Sequence, residues 1–129
     1  MSRQNIQGTS PWEPLAGYSR AVRIGPHVWV AGTPATDGTG ELVGIGDAAA
    51  QTRQALANIV RALEAAGARL DQVVRTRLYV TRIEDAEVVA AAHGALFGDI
   101  RPASTLVAVG ALVAPEMLVE VEAEAYLGN

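Results

Sequence analysis

Lysine and cysteine are both absent from this chain of 129 residues. Without cysteine there can be no disulfide, no thiolate metal ligand and no cysteine nucleophile. Without lysine all ten cationic side chains are arginine. That excludes Schiff-base chemistry on a lysine amine, covalent pyridoxal phosphate included. Aromatic residues make up 5% of the chain and histidine occurs twice, so the core must be aliphatic and histidine chemistry has few candidates. The net charge of −4 supplies no field toward nucleic acid or an anionic membrane. The longest nearly apolar run, Thr105 to Pro115, is too short to span a bilayer. The opening MSRQNIQGTS lacks the apolar core of a signal peptide. The expectation is a soluble cytoplasmic protein with neither a membrane nor a nucleic acid as partner.

What is present is an Ala-, Val- and Leu-rich chain with no repeat or linker, read as a single domain over residues 1–129. Pro11-Trp12-Glu13-Pro14 predicts an extended arm or loop over residues 1–17. Tyr18 to Ile24 and His27 to Ala31 read as two strands of a hairpin turning at Gly25-Pro26. Residues 32–46, rich in Gly and Thr, read as loop. Asp47 is the expected N-cap of a helix reaching about Ala66, with Leu56, Ile59, Val60 and Leu63 as its apolar stripe and Gly67 as its stop. Residues 70–82 predict a strand with Val74, Thr76, Leu78 and Val80 on one face and Arg75, Arg77 and Tyr79 on the other. A second helix fits 84–97, and two strands follow, joined by a corner at Ala114-Pro115-Glu116.

The last of these strands organises the rest. Val119, Val121, Ala123 and Ala125 share one face, and Glu120, Glu122 and Glu124 the other. The order β-β-α-β-α-β-β predicts an α+β fold, a mixed sheet with two helices packed on its aliphatic face. Nothing in the chain is left to cover the face of Arg75, Arg77, Tyr79 and the three glutamates. Such a face packs against a copy of itself, so an oligomer is expected.

The segments RPAST and LVEVEAEAY, together with GYSRAVRIGPHVWVAGT, make the chain resemble the Rid family (RidA/YjgF, older label L-PSP endoribonuclease) over nearly its whole length. The resemblance implies a chorismate-mutase-like fold and a homotrimer with clefts between subunits. It also implies hydrolysis of reactive enamines and imines to ketoacids and ammonia, without a cofactor. By the same resemblance Glu120 activates water, Tyr18 lies in the cleft, and Gly32 with Thr33 forms the loop that lends backbone groups to a small-molecule ligand. One departure matters. In the best-known branch an arginine two residues after the strand's proline grips the substrate carboxylate, and here Pro102-Ala103 is followed by Ser104. A hydroxyl cannot replace a bidentate guanidinium clamp. Arg101 is not expected to stand in, since three residues along an extended chain its side chain points to the opposite face.

Each candidate has a plain structural alternative. Glu120 reads as a general base in a partly desolvated interface, or as a rung in a ladder with Arg75 or Arg77. Tyr18 orients a ligand or is a wet tyrosine at a strand start. Ser104 and Thr105 hydrogen-bond a neutral ligand or are satisfied locally, and no G-x-S-x-G elbow makes either a nucleophile. His27 is expected in solvent and His93 in a surface or boundary role on the second helix, with no spacing that suggests a metal site. Gly44-Ile45-Gly46-Asp47-Ala48-Ala49 matches G-x-G-x-x-A but lacks a preceding strand, so it reads as a loop entering a capped helix. Without a basic patch interleaved with aromatics, an endoribonuclease reading has no sequence support. Two functions remain: a Rid-type hydrolase of a small imine, enamine or related metabolite, and a trimer that binds such a metabolite without turnover.

Overall fold

The computed structural model describes residues 2–128. Strands β1 (Arg3–Ile6), β2 (Ala21–Ile24), β3 (His27–Thr33), β4 (Val73–Val80), β5 (Ala103–Ala108) and β6 (Val119–Tyr126) form one sheet. Its order is β1-β2-β3-β6-β4-β5. The helices are α1 (Trp12–Ala16), α2 (Ala48–Ala65) and α3 (Ala86–Phe97). Only β4 and β5 pair in parallel; the other neighbours are antiparallel. With β6 inserted between them, β3 and β4 run the same way, so β3-α2-β4 and β4-α3-β5 are successive crossovers moving in one direction across the sheet. Crossovers of this kind share one hand, which puts α2 and α3 on the same face.

The expected α+β class and the pair of helices on one face are found, but the chorismate-mutase-like description needs correction. The sheet has six strands rather than five, because β1 adds to its edge by pairing with β2 from Arg3↔Ile24 to Ile6↔Ala21. Arg3-Gln4-Asn5-Ile6 carries no apolar alternation, so that pairing rests on backbone bonds and left no pattern to read. Residues 12–16 form a helical turn, not an arm. Pro14 falls in its first turn, where no N–H is called on, and Gly17, at φ 76°, closes it.

Along α2 the expected caps hold. Asp47 accepts a hydrogen bond from Ala50 N at 3.0 Å, and Gly67 follows the helix at φ 84°. Gly44 and Gly46 both have positive φ, as loop residues leading into a capped helix do. The buried face of α2 carries Ala55, Leu56, Ile59, Ala62 and Leu63, with Ala55 and Ala62 rather than Val60 completing the stripe. It packs on Val28, Val30, Leu78, Val80, Val119, Val121, Ala123 and Ala125 of the sheet. Gln51, fully buried, ties the layers together. Its amide donates to Gly44 O and Glu116 O and accepts from Leu118 N at 2.9 Å, which holds the entry to β6 two residues before Glu120.

The alternation on β6 is as expected, whereas that on β4 is not. Val73 pairs with Ala125 and Arg75 with Glu124, so Val74 is an extra residue in a bulge. It is pushed out to 49% exposure while Val73 takes the buried place, and the expected order resumes at Thr76. The hairpin strand begins at Ala21 rather than Tyr18, and β5 ends at Ala108 and lies at an open edge. No helix among the described residues is long and apolar enough to cross a membrane.

Candidate functional site

The site is built where β3 breaks step with β6. Val30 pairs with Ala123 and Thr33 with Val121, so an irregularity lies between them. It brings the backbone of Gly32 under the side chain of Glu120, the second residue of β6. A β-carbon at Gly32 would lie 2.7 Å from Glu120 Oε2. Only a residue without a side chain lets the carboxylate rest there.

Glu120 stands apart from the other glutamates of its face. Glu124 accepts from Arg77 Nη1 at 2.7 Å, and Glu122 accepts from the Tyr79 hydroxyl at 2.7 Å with Arg77 3.9 Å away. Those two form the expected ladder. Glu120 has neither a salt bridge nor a side-chain hydrogen bond among the described residues. Burial raises its pKa above the usual carboxylate value, Arg20 opposes that rise, and the charge of Glu122 adds to it. A carboxylate so placed holds its proton more readily and is a stronger base once ionised.

A cavity of about 880 Å³ opens over this group. Tyr18, Gly32, Thr33 and Glu120 line it together, so four of the expected site residues meet within one chain. Trp12, Val113 and Met117 supply apolar wall. Trp12 lines the cavity and is 45% exposed.

Sequence reasoning missed two charged residues here. Arg20 is 9% exposed and reaches Gly32 O at 2.5 Å, Thr33 Oγ1 at 3.0 Å, the Tyr18 hydroxyl at 3.3 Å and Glu13 Oε2 at 3.5 Å. Glu13, also buried, accepts from Gly8 N at 2.8 Å and Ser10 N at 3.2 Å. The one available signal was Arg20 lying two residues after Tyr18 in GYSRAV. Nothing around Glu13 marked it.

Ser104 and Thr105 do not reach this cavity. They lie on β5, and no residue of that strand lines it. Thr105 accepts from Arg75 Nη2 at 3.2 Å. Ser104 pairs with Thr76 in the parallel register and accepts from its hydroxyl at 2.8 Å. Thr76 Oγ1 in turn lies 2.8 Å from His93 Nε2, so serine, threonine and histidine form one polar chain between β5 and α3. His93 also packs on Phe97, and burial lowers its pKa. His27 is exposed and stacks on Trp29 with ring centroids 5.6 Å apart. Arg101 does not continue the strand backward. Its φ of 56° turns the chain, and its Nε donates to Gly98 O at 3.0 Å, which corrects the extended geometry expected of it. Among the described residues no group of three or more His, Cys, Asp or Glu is placed to hold a metal ion.

Comparison with known proteins shows the family and the fold. Residues 8–127 match the family model described as Endoribonuclease L-PSP. SCO2049 of Streptomyces coelicolor is 40% identical over 125 residues, covering 97% of this chain and 92% of that one. The 3-aminoacrylate deaminase RutC of Acinetobacter baylyi is 35% identical over 121 residues, covering 94% of both chains. Among solved structures, Rv2704 of Mycobacterium tuberculosis, from the YjgF/YER057c/UK114 family, is 50% identical with a TM-score of 0.88, over 97% of this chain and 99% of that one. That match replaces the chorismate-mutase-like description with the Rid/YjgF α+β fold.

Proposed function

The chain belongs to the Endoribonuclease L-PSP family, the Rid/YjgF/UK114 proteins, and from this premise we propose that it hydrolyses a small imine or enamine, releasing ammonia. One observation carries the reading. Glu120 is the single glutamate of its face without an ion pair, packed on Gly32 and facing a cavity. The relationship to a 3-aminoacrylate deaminase supports the same reaction class.

In this reading Glu120 takes a proton from water as the water oxygen bonds to the C=N carbon and the π pair moves to nitrogen. The proton then passes to nitrogen to give a neutral carbinolamine. Glu120 next takes the hydroxyl proton and delivers it to the same nitrogen as the C–N bond breaks and the C=O bond forms, so that a carbonyl compound and ammonia leave. An enamine enters after protonation at carbon. Tyr18 orients the substrate, and the Gly32–Thr33 backbone forms the floor.

The substrate is neutral at the end that a family arginine would grip. Ser104 offers a hydroxyl there, and the Arg20 guanidinium is already engaged by Gly32, Thr33, Tyr18 and Glu13. Ser104 and Thr105 lie on the open edge strand β5 and would meet the Glu120 cavity only across a boundary between copies, so the working form is a homotrimer in which neighbouring copies cover both that edge and the glutamate-bearing sheet face. Sedimentation at roughly three times the 13.4 kDa chain mass is expected. The function is tested by following ammonia and carbonyl release from neutral imines formed in situ by an amine oxidase. Turnover supports the hydrolase; retention of such a compound without turnover supports the binding trimer instead.

A further inference from the structure

Three of the four cavity groups already named are held by one side chain that contacts none of the reacting atoms. Arg20 Nη1 donates to the Gly32 carbonyl and to Thr33 Oγ1, and Nη2 lies 3.3 Å from the Tyr18 hydroxyl. Its guanidinium carbon is also 5.6 Å from the centre of the Tyr18 ring. Arg20 follows the loop that carries Tyr18 and immediately precedes β2, and Ala31 N donates back to Arg20 O at 2.9 Å. The arginine thus spans the irregularity in β3 from both its backbone and its side chain.

Glu13 fixes the arginine from behind. Its carboxylate accepts from Gly8 N and Ser10 N, so the N-terminal arm folds over the guanidinium and shields it from solvent. Both side chains are buried, at 5% and 9% exposure. A buried ion pair of this kind is costly to desolvate and weak evidence for stability. Its position beside the one unpaired glutamate of the cavity gives it another use.

We propose that Arg20, held by Glu13, is a positioning residue that sets both the place and the basicity of Glu120. It fixes Gly32, on which the Glu120 carboxylate rests, and supplies the fixed positive charge that the carboxylate faces. The proposal deepens the hydrolase reading and rests on Glu120 as base. The other charged or titratable groups around Glu120 are Glu122 on its own strand, Tyr79 opposite it on β4, and Tyr18, Asp37 and Arg61, which line the same cavity. Tyr79 stays neutral, its pKa raised by its bond to Glu122. Glu122 is engaged by that tyrosine, which leaves Arg20 as the cation whose removal the carboxylate would feel most.

The test is the titration of the Glu120 side-chain carboxyl by ¹³C NMR, which needs no substrate and so stands whether or not the chain turns over imines. In Arg20→Gln the cation is lost and the Glu120 midpoint moves to higher pH. In Glu13→Gln the amide oxygen keeps one of the two bonds from the arm, and a compensating negative charge is gone. The Arg20 charge is then felt more strongly, and the midpoint moves to lower pH. Shifts of opposite sign separate a field effect from a loosened fold, which would move both variants the same way. Arg20→Lys keeps the charge and loses the bonds to Gly32, so its midpoint stays near wild type while turnover falls, by about tenfold or more if placement matters. If Arg20→Gln does not fold, Glu13→Gln decides alone. A Glu120 midpoint unchanged or raised in folded Glu13→Gln overturns the proposal, as does one unchanged in folded Arg20→Gln.

Discussion

Gly32 and Glu120 occupy one space: a β-carbon on the first would sit 2.7 Å from the carboxylate oxygen of the second. The glycine is not at a positive φ, so alanine fits its backbone, and the atom it meets is the far end of a flexible side chain. Gly32→Ala should therefore leave stability within about 1 kcal/mol of wild type. Turnover should fall about 100-fold, the scale on which a displacement of an ångström acts on a reacting group. Urea unfolding and steady-state kinetics on the same preparation check both halves.

Two half-buried titratable groups give opposite pH dependences of stability. The folded pKa of Glu120 lies above 4.5, so its contribution is fully present below 4.5 and is lost as pH rises through the folded value. The folded pKa of His93 lies below 6.5, so its contribution is present above 6.5 and is lost as pH falls through the folded value. At pH 7 the Glu120→Gln protein should then unfold at a higher temperature than wild type. At a pH well below 4.5 that advantage should vanish. Thermal unfolding of both proteins across the range reads this out.

Thr76 is completely buried and joins His93 to Ser104. Valine has nearly its shape but neither donates nor accepts. Thr76→Val should cost about 1–3 kcal/mol, the usual penalty when partly buried polar groups lose a partner. Ser104 turns to water, so most of the loss belongs to His93. Urea midpoints with unchanged m-values, measured also in His93→Phe and the double variant, test whether the two losses are coupled.

Ser104 is exposed on the edge strand β5, so a longer side chain there can turn to open space, giving up the bond from Thr76. Ser104→Arg should raise kcat/KM for imino acids bearing a carboxylate, by about tenfold or more, as expected for a charge-assisted clamp. A folded, trimeric variant that gains nothing would show that the clamp is not what this chain lacks for such substrates.

The residues that were legible in sequence owed it to local rules. Alternation on Val119 to Ala125 announced β6 and set Glu120 on the face opposite the core. Asp47 and Gly67 announced the ends of α2 because capping chemistry is carried by single residues. The bulge at Val74 was not legible, since an inserted residue shifts alternation without changing composition. Strand β1 was silent because polar edge strands pair through backbone alone. The wiring of Ser104 through Thr76 depends on the parallel register of β4 and β5, which no local pattern encodes. The Glu13–Arg20 pair depends on two backbone donors, Gly8 and Ser10, folding back over a turn.

Turnover with and without the Glu120 carboxylate tests the account most directly. Ammonia release from a neutral imine should fall by about 100-fold or more in Glu120→Gln, the contribution of a general base, while the variant stays folded and associated. Equal rates in the two proteins would contradict the assignment of Glu120 as the group that activates water.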